Sequence, residues 1–209
     1  MKYYEMGICT SEDERDLLCT LDENTLSIGW NNTPGVKSFD FTPSDIGWGK
    51  PVQNWPKGVT FLYEKKEGYW VPDYFFSIPD FLLFSERLVD GLKRCETEIQ
   101  LLDVTLLDTN TGERDESYKI VNVINVIDVI SWEASNYKKF PVNPDDDADD
   151  RIYLMMIKPV FKKSELERIR PMIFKTKEEE VSVYVSEEYK SYCEQEKLTG
   201  FEFYEVKQV

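Results

Sequence analysis

The chain has 209 residues, enough to bury a sizeable core in one large domain or in two small, associated halves. Aromatic residues make up 14% of it, which excludes the aromatic-poor composition of disordered chains, and the absence of histidine excludes Ser-His and Cys-His nucleophile pairs. The 40 acidic residues against 25 basic ones give a net charge of -15, which disfavours nucleic acids and anionic membranes as partners and allows a basic protein. Solubility alone would also explain this charge.

The cysteines and the N-terminus indicate a reducing compartment. The four cysteines form no Cys-x-x-Cys pair, and the first residues contain no apolar segment that would direct secretion. We therefore expect a cytoplasmic protein whose thiols are reduced, with buried structural cysteines favoured over redox or nucleophilic ones. These cysteines are Cys9, Cys19, Cys95 and Cys193.

The N-terminal third is predicted to contain strands and loops. Lys2–Ile8 is typical of a short strand, and the acidic residues after it are typical of a solvated surface. From Trp30 to Trp70 the sequence is dense in Gly, Pro, Asn and Trp, which predicts loops and short strands. The tryptophans here would suit a ligand groove, but aromatic residues more often anchor such loops to the core.

A first strand-helix-strand unit is predicted around Ser85. An apolar stretch ends at this serine, which is suited to cap a helix, and Glu86 follows in the first turn, where an acid favours the helix dipole. Leu88, Val89 and Leu92 would then share one helical face. Ile99–Leu107 is the strand predicted to follow.

A second unit of the same kind is predicted near the C-terminus. An alternating strand from Val181 leads to Ser186 and Glu187, which repeat the Ser-Glu start of a helix. Tyr189 and Cys193 would face inward, and Phe201–Val206 would form the final strand. The repeat is either an old duplication or two instances of a common motif.

Ile120–Ile130 is the densest β-branched run in the chain. It is too short to span a membrane and too rich in Val and Ile to favour a helix, so we predict one central strand buried on both faces. Val123, Ile124, Val126 and Ile127 are its predicted core residues. The polar residues Asn122, Asn125 and Asp128 must find partners inside the fold or lie at its ends.

An acidic, proline-containing loop is predicted at Pro141–Asp150. Its alternating aspartates resemble the start of an EF-hand loop, but Asp150 stands where the turn needs glycine, and Met156 where calcium needs a bidentate glutamate. No calcium site is therefore expected. After the loop we predict a strand at Arg151–Val160, a helical turn at Lys163–Arg170, and a strand starting at Met172–Lys175.

These elements predict an α+β fold with mixed or mainly antiparallel sheets and a few short helices. We expect a single domain over residues 1–209, with a subdivision into 1–140 and 151–209, joined by the acidic loop, as the alternative.

Motifs with chemical meaning are sparse. The sequence has no Gly-x-Gly-x-x-Gly, Walker or Gly-x-Ser-x-Gly motif. Pro79-Asp80 matches a metal-dependent nuclease motif only weakly, because Glu64-Lys65-Lys66 lies upstream and Glu188-Tyr189-Lys190 falls on a predicted helix. Paired carboxylates for glycoside hydrolysis stay open, since 40 acids supply pairs by chance. We predict no catalytic residue, no metal ligand and no cofactor.

Short segments from end to end resemble immunity protein family 11 of bacterial polymorphic toxin systems. Besides Tyr3-Tyr4 at the start, and Ile173-Phe174 and Leu198-Thr199 later, the residues that carry the resemblance and are expected to be structural are Trp55, Pro56, Pro79, Asp80, Ser85, Glu86, Asn122, Asp128, Ser135, Ser186, Glu187 and Gly200. The resemblance implies a cytoplasmic antidote that binds a cognate toxin domain, often a nuclease.

Charge and resemblance together favour a stoichiometric inhibitor that covers a basic toxin cleft. The alternatives are a carboxylate-dependent hydrolase and a non-catalytic scaffold or adaptor. The residues predicted to contact the partner are Asp145, Asp146, Asp147, Asp149, Asp150, Trp48, Trp55 and Trp70. The competing interpretation of the aspartates is a loop that is merely solvated.

Overall fold

The computed structural model describes residues 1–8, 28–30, 46, 49–55, 57–63, 65, 71–75, 77–78, 81–95, 98–139 and 154–209. Short strands predominate among these residues, and the fold is α+β, as the sequence predicts. The fully described helices are α1 Glu86–Asp90, α2 Lys163–Ile169 and α3 Glu187–Gln195, and Lys93–Cys95 forms a 3-10 helix.

The strands are short and numerous. In chain order they are β1 Tyr3–Ile8, β2 Ile28–Trp30, β3 Thr60–Tyr63, β4 Tyr74–Phe75, β5 Ser77–Ile78, β6 Leu83–Phe84, β7 Ile99–Asp103, β8 Thr105–Asp108, β9 Arg114–Asp115, β10 Lys119–Val123, β11 Val126–Ile127, β12 Asn136–Lys139, β13 Leu154–Lys158, β14 Val160–Phe161, β15 Ile173–Thr176, β16 Glu179–Ser186, β17 Phe201–Glu205 and β18 Lys207–Gln208.

The described strands form three larger sheets. Sheet A has the order β11-β15-β16-β1-β17, sheet B the order β5-β2-β3-β8-β9, and sheet C the order β4-β6-β10-β7. Two further pairs join β12 to β13 and β14 to β18. Most pairings are antiparallel; β2–β5, β3–β8, β11–β15 and β14–β18 are parallel.

The two predicted strand-helix-strand units share one topology. Strands β6 and β7, connected through α1, flank β10 and run antiparallel to it. Strands β16 and β17, connected through α3, flank β1 in the same way. Each unit is therefore split, because its two parallel strands are separated by a third strand from elsewhere in the chain. In the chain, the inserted strand β10 follows the first unit, whereas the inserted strand β1 precedes the second.

Three hydrophobic cores lie between these layers. The first core contains both unit helices and joins sheets A and C, with Leu88 of α1 and Tyr189 of α3 among its buried residues. The second core joins sheets B and C and includes Phe61 and Ile120. The third core covers the other face of sheet A with α2 and the β14 region and includes Phe161 and Tyr184.

The run Ile120–Ile130 is not one central strand, contrary to the sequence prediction. Strand β10 ends at Val123, and the N–H groups of Ile124 and Asn125 both donate to the Glu98 carbonyl, at 2.9 and 3.1 Å. The chain then enters sheet A as β11, where Lys175 N–H donates to the Asn125 carbonyl at 2.9 Å. The carbonyl of Glu98, in the turn before β7, and the polar Asn125 therefore divide the run.

Burial along the run follows this division. Strand β10 lies between the first and second cores, and Val123 is fully buried. Ile124, Val126 and Ile127 are only half-buried, so none of them is the buried core residue predicted, although Ile127 packs against the third core. They lie in and beside the connection from sheet C to sheet A, where the chain has left the doubly covered layer.

Two other predicted strands are also divided. Ile99–Leu107 changes sheet at Val104, so that β7 pairs with β10 and β8 pairs with β3. In the described part of Arg151–Val160, β13 and β14 are separated at Pro159, which has no N–H to offer a ladder.

Several local predictions are confirmed. Strand β1 occupies the predicted opening segment, and α2 ends with Arg170 in a left-handed conformation, φ 52°, before Pro171. Cys95 and Cys193 are buried free thiols, and burial raises the pKa of each to about 12. Cys9, Cys19 and the predicted loop Pro141–Asp150 lie outside the described residues.

Candidate functional site: the groove between α3 and β17

Both unit helices begin at the predicted serine. Ser85 Oγ accepts the N–H of Leu88, and Ser186 Oγ accepts the N–H of Tyr189, each at 3.3 Å. Such caps satisfy one of the N–H groups that a helix start leaves open. Local sequence therefore fixes where α1 and α3 begin.

The two helices are joined by tyrosine hydroxyl groups. Tyr189 Oη donates to the carbonyl of Leu88 at 3.0 Å, and Tyr192 Oη donates to the carbonyl of Arg87 at 2.7 Å. A Cβ at Gly91 would come within 2.4 Å of the Tyr192 ring, so glycine permits this close approach. Burial raises the pKa of Tyr189 well above its usual value, which keeps the hydroxyl protonated as a donor.

A buried aspartate connects the first unit to the turn before β17. The Asp73 carboxylate accepts hydrogen bonds from Ser85 Oγ at 2.7 Å, Thr199 N–H at 3.1 Å and the Arg87 guanidinium at 3.3 Å. Gly200 follows with φ +100°, and a Cβ there would lie 2.2 Å from the Tyr74 carbonyl oxygen. This junction fixes the direction in which β17 leaves α3.

An open groove of about 500 Å³ lies between α3 and β17. Its apolar residues are Cys193, Leu198, Phe201 and Phe203, and its charged residues are Lys190, Glu194, Lys197 and Glu202. The groove therefore has an aromatic floor on the β17 side and charged groups from both elements around it.

The aromatic floor is ordered by ring contacts. Phe203 lies 5.1 Å from Phe201 and 6.3 Å from Tyr4 between ring centroids, and the Tyr4 contact is edge-to-face. Lys190 Nζ stands 5.2 Å from the Tyr4 centroid and 5.9 Å from that of Phe203, and it also pairs with Glu194. The ammonium is thereby held over the rings by cation–π attraction and an ion pair.

The surface around the groove is acidic. Residues 187–206 contain six glutamates and two lysines. All the glutamates are exposed except the half-buried Glu202. Such a surface favours a positively charged partner. At physiological salt the attraction acts over about 8 Å, beyond which dissolved ions screen it.

Glu98 ties sheet C to sheet A at the start of β15. Its carboxylate accepts the N–H groups of Met172 and Ile173 at 3.0 and 2.9 Å. Burial raises the pKa of Glu98, and the two backbone hydrogen bonds offset this only in part.

Comparison with known proteins adds the decisive observation. The family described as Immunity protein family (Imm11) matches residues 4–208. The chain belongs to this immunity protein family. No curated protein matches the chain. Family membership implies a toxin as the partner of this Imm11 protein.

Many of the residues singled out in the sequence of this Imm11 protein lie outside the described part of the chain. They are Asp145, Asp146, Asp147, Asp149, Asp150, Trp48, Trp70, Pro56, Pro79 and Asp80. Trp55 is described: it is half-buried against the second core, and its indole N–H donates to the Asp103 carbonyl at 2.7 Å. The structure thus uses Trp55 to hold a loop against the end of β7.

The remaining residues of the Imm11 resemblance are dispersed. Asn122 is buried and donates from Nδ2 to the Lys50 carbonyl at 2.8 Å, while Ser135 Oγ accepts the N–H of Val160 at 2.9 Å. Asp128 is exposed and forms an ion pair with Lys162 at 3.6 Å. Glu86 and Glu187 are exposed in the first turns of their helices. They form no single cluster.

Sequence reasoning missed the groove and the Asp73 junction. The alternation Phe201-x-Phe203 indicated a strand with one apolar face but not its place at the border of a sheet. Asp73 lies in a loop-rich segment that gave no signal, because its partners Ser85 and Thr199 come from distant parts of the chain.

Two kinds of feature are missing from the described residues. No group of three or more Cys, Asp or Glu side chains there is arranged to hold a metal ion. Among the helices described, none combines the length and apolar character that crossing a membrane requires.

Proposed function

We propose that this protein binds a cognate toxin domain one-to-one and neutralises it by covering the toxin's functional surface. The observation that carries the proposal is the match to the immunity family over residues 4–208. The net charge of -15 supports a basic partner such as a nuclease, whose substrate-binding cleft must attract phosphate. The protein acts by binding and not by catalysis, in the cytoplasm where the toxin would act, without contacting nucleic acid or membrane itself.

Two acidic surfaces are candidates for the contact. One is the run Asp145, Asp146, Asp147, Asp149 and Asp150, with Trp48 and Trp70 as candidate aromatic anchors. The other is the groove between α3 and β17. Trp55 is a weaker candidate than Trp48 and Trp70, since half of it packs on the second core. An ordinary interface buries about 1,600 Å² in total, with a few aromatic anchors supplying much of the affinity.

The decisive experiment is titration of toxin activity. The probe is the toxin domain encoded by the reading frame next to this gene, co-expressed for protection and purified for assay. We expect protection of cells and loss of toxin activity that ends at one inhibitor per toxin. Protection far below one equivalent would favour the hydrolase alternative, and absence of binding would favour a scaffold.

Salt dependence tests the role of charge separately. We expect association of the two proteins to slow markedly as ionic strength rises, whereas dissociation changes less, because charge steers encounter and packing holds the complex. Replacing all five loop aspartates with asparagine keeps the loop's size and polarity. Unchanged association, affinity and protection in that variant would eliminate the loop as the contact surface.

A further inference from the structure

Strand β17 has one side that no described strand covers. It is the last strand of sheet A and pairs only with β1 in the described part of the chain. Exposed edges of this kind present unpaired N–H and C=O groups that can template a further strand. The edge borders the aromatic groove, so backbone and side-chain recognition would coincide there.

The register identifies which backbone groups face outward. Val206 N–H donates to the Tyr3 carbonyl at 3.0 Å, and Glu5 pairs with Tyr204 and Gly7 with Glu202 in the same register. In an antiparallel ladder the hydrogen-bonded pairs alternate along the strand. The N–H and C=O groups of Phe201, Phe203 and Glu205 therefore point away from β1.

Side chains alternate between the two faces of the same strand. Phe201 and Phe203 lie on the groove side, where Phe203 contacts Tyr4. Glu202 between them also lines the groove, but its side chain alternates to the other face of the strand, where it accepts a hydrogen bond from Tyr204 Oη. A strand added at this edge would alternate in phase with β17. One set of its side chains would lie beside the phenylalanines and the other beside Glu202.

Building on the proposed function, we propose that the outer edge of β17 receives an extended segment of the toxin, with apolar residues alternating with lysine or arginine. The main chain pairs with Phe201, Phe203 and Glu205, the apolar side chains enter the groove, and the cationic ones lie beside Glu202. Such strand addition draws affinity from the backbone and specificity from alternate side chains. Charge selects the partner, because residues 187–206 carry six glutamates against two lysines.

A second copy of this chain is a poorer occupant. Two molecules that each carry -15 repel one another, and pairing two β17 strands would bring their glutamates together. Self-pairing is nevertheless one of the outcomes that the following measurements distinguish.

The edge can be blocked without changing a side chain. Cys193 permits ligation of residues 1–192 to a synthetic peptide 193–209 that carries N-methyl-Phe203, and the same ligation with unmodified peptide is the matched control. We expect unchanged thermal unfolding and at least about tenfold weaker binding of a catalytically inactive toxin domain, from one lost hydrogen bond and the bulk of the methyl group. Equal binding by both ligated proteins would overturn the proposal.

Amide exchange in the unmodified protein gives an answer even if the ligated variant does not fold. We expect the N–H groups of Phe203 and Glu205 to exchange quickly in the free protein and to become protected in the toxin complex. A stable complex in which they still exchange quickly would refute edge pairing but leave neutralisation intact. No complex at all would refute the proposed function. Concentration-dependent protection in the free protein would assign the edge to self-pairing.

Discussion

The two split units have the same local sequence features but lie in different environments. Each has a serine cap, a glutamate in the first turn and two strands that flank a third. In the first unit, Ser85 is also bonded to the buried Asp73, and sheet C is covered on both faces by cores. In the second unit, the last strand is β17, whose phenylalanines are half-buried and whose outer side is not covered by any described strand.

The comparison shows that local sequence determines the strand-helix-strand structure of each unit, whereas the elements packed around the unit determine its role. Capping and amphipathic spacing are enough to produce strand, helix and strand in both places. Whether the unit becomes part of the interior or borders a groove depends on what packs on its strands. The first unit is suited to holding sheets B and A on either side, and the second is suited to contacting another molecule.

The largest expected effect concerns the core that the two units share. Leu88 is fully buried between them, so Leu88→Ala should lower the free energy of unfolding by about 2–5 kcal/mol through lost burial and a cavity. We propose that the chain unfolds as one domain. Chemical denaturation followed by far-UV and near-UV circular dichroism should therefore show one transition, and the substitution should shift it equally in both signals.

The control for this prediction is Arg94→Ala. Arg94 is exposed and lies 3.3 Å from Glu188 in a surface ion pair, so its loss should cost at most about 1 kcal/mol. Two separate transitions, of which only one moves in the Leu88 variant, would show that residues 1–140 and 151–209 unfold independently.

The next effect distinguishes the two caps. Ser186→Ala should cost about 1 kcal/mol, the usual value of a lost helix cap. Ser85→Ala should cost about 2–4 kcal/mol, because it also removes the shortest hydrogen bond to the buried Asp73 carboxylate, at about 1–3 kcal/mol more. Denaturant unfolding of the two variants measures the difference.

A double-mutant cycle sharpens this test. In an Asp73→Ala background, the loss of unfolding free energy caused by Ser85→Ala should fall to that of the helix cap alone, about 1 kcal/mol. The Ser186→Ala cost should stay the same in that background. Equal costs for the two serines in the wild-type protein would contradict the proposed difference between the units.

The smallest effect is the pH dependence contributed by Glu98. Its pKa is raised above the ordinary value of 4.5, so the folded state holds the proton more tightly than the unfolded chain. This contribution to stability is complete below about pH 4.5 and is lost as pH rises through the raised pKa. Glu98→Gln keeps an oxygen acceptor for Met172 and Ile173 but cannot ionise.

The test is to measure unfolding of both proteins from acid to neutral pH. The difference in free energy of unfolding should shift in favour of the Glu98→Gln variant as pH rises from below 4.5. A difference that is constant with pH would show that burial does not perturb this carboxyl group.

Sequence by itself determined the local elements of this protein. Serine caps at Ser85 and Ser186, the inward Tyr189 and Cys193, and the α+β class all follow from spacing and short-range hydrogen bonding, which involve residues close together in the chain. The resemblance to the immunity family was likewise carried by short segments whose order a sequence displays directly.

Tertiary structure alone decided where strands divide and which surfaces remain open. Ile120–Ile130 is continuous in pattern, yet β10 ends where the Glu98 carbonyl, in the turn before β7, accepts the N–H groups of Ile124 and Asn125, and the chain then enters a second sheet. Asp73 acquires its role from partners 12 and 126 residues away, and Phe203 is exposed to a groove only because β17 lies at the border of sheet A. A hydrophobic pattern predicts that one face of a strand is covered. Which element covers it depends on long-range packing, which the local sequence does not determine.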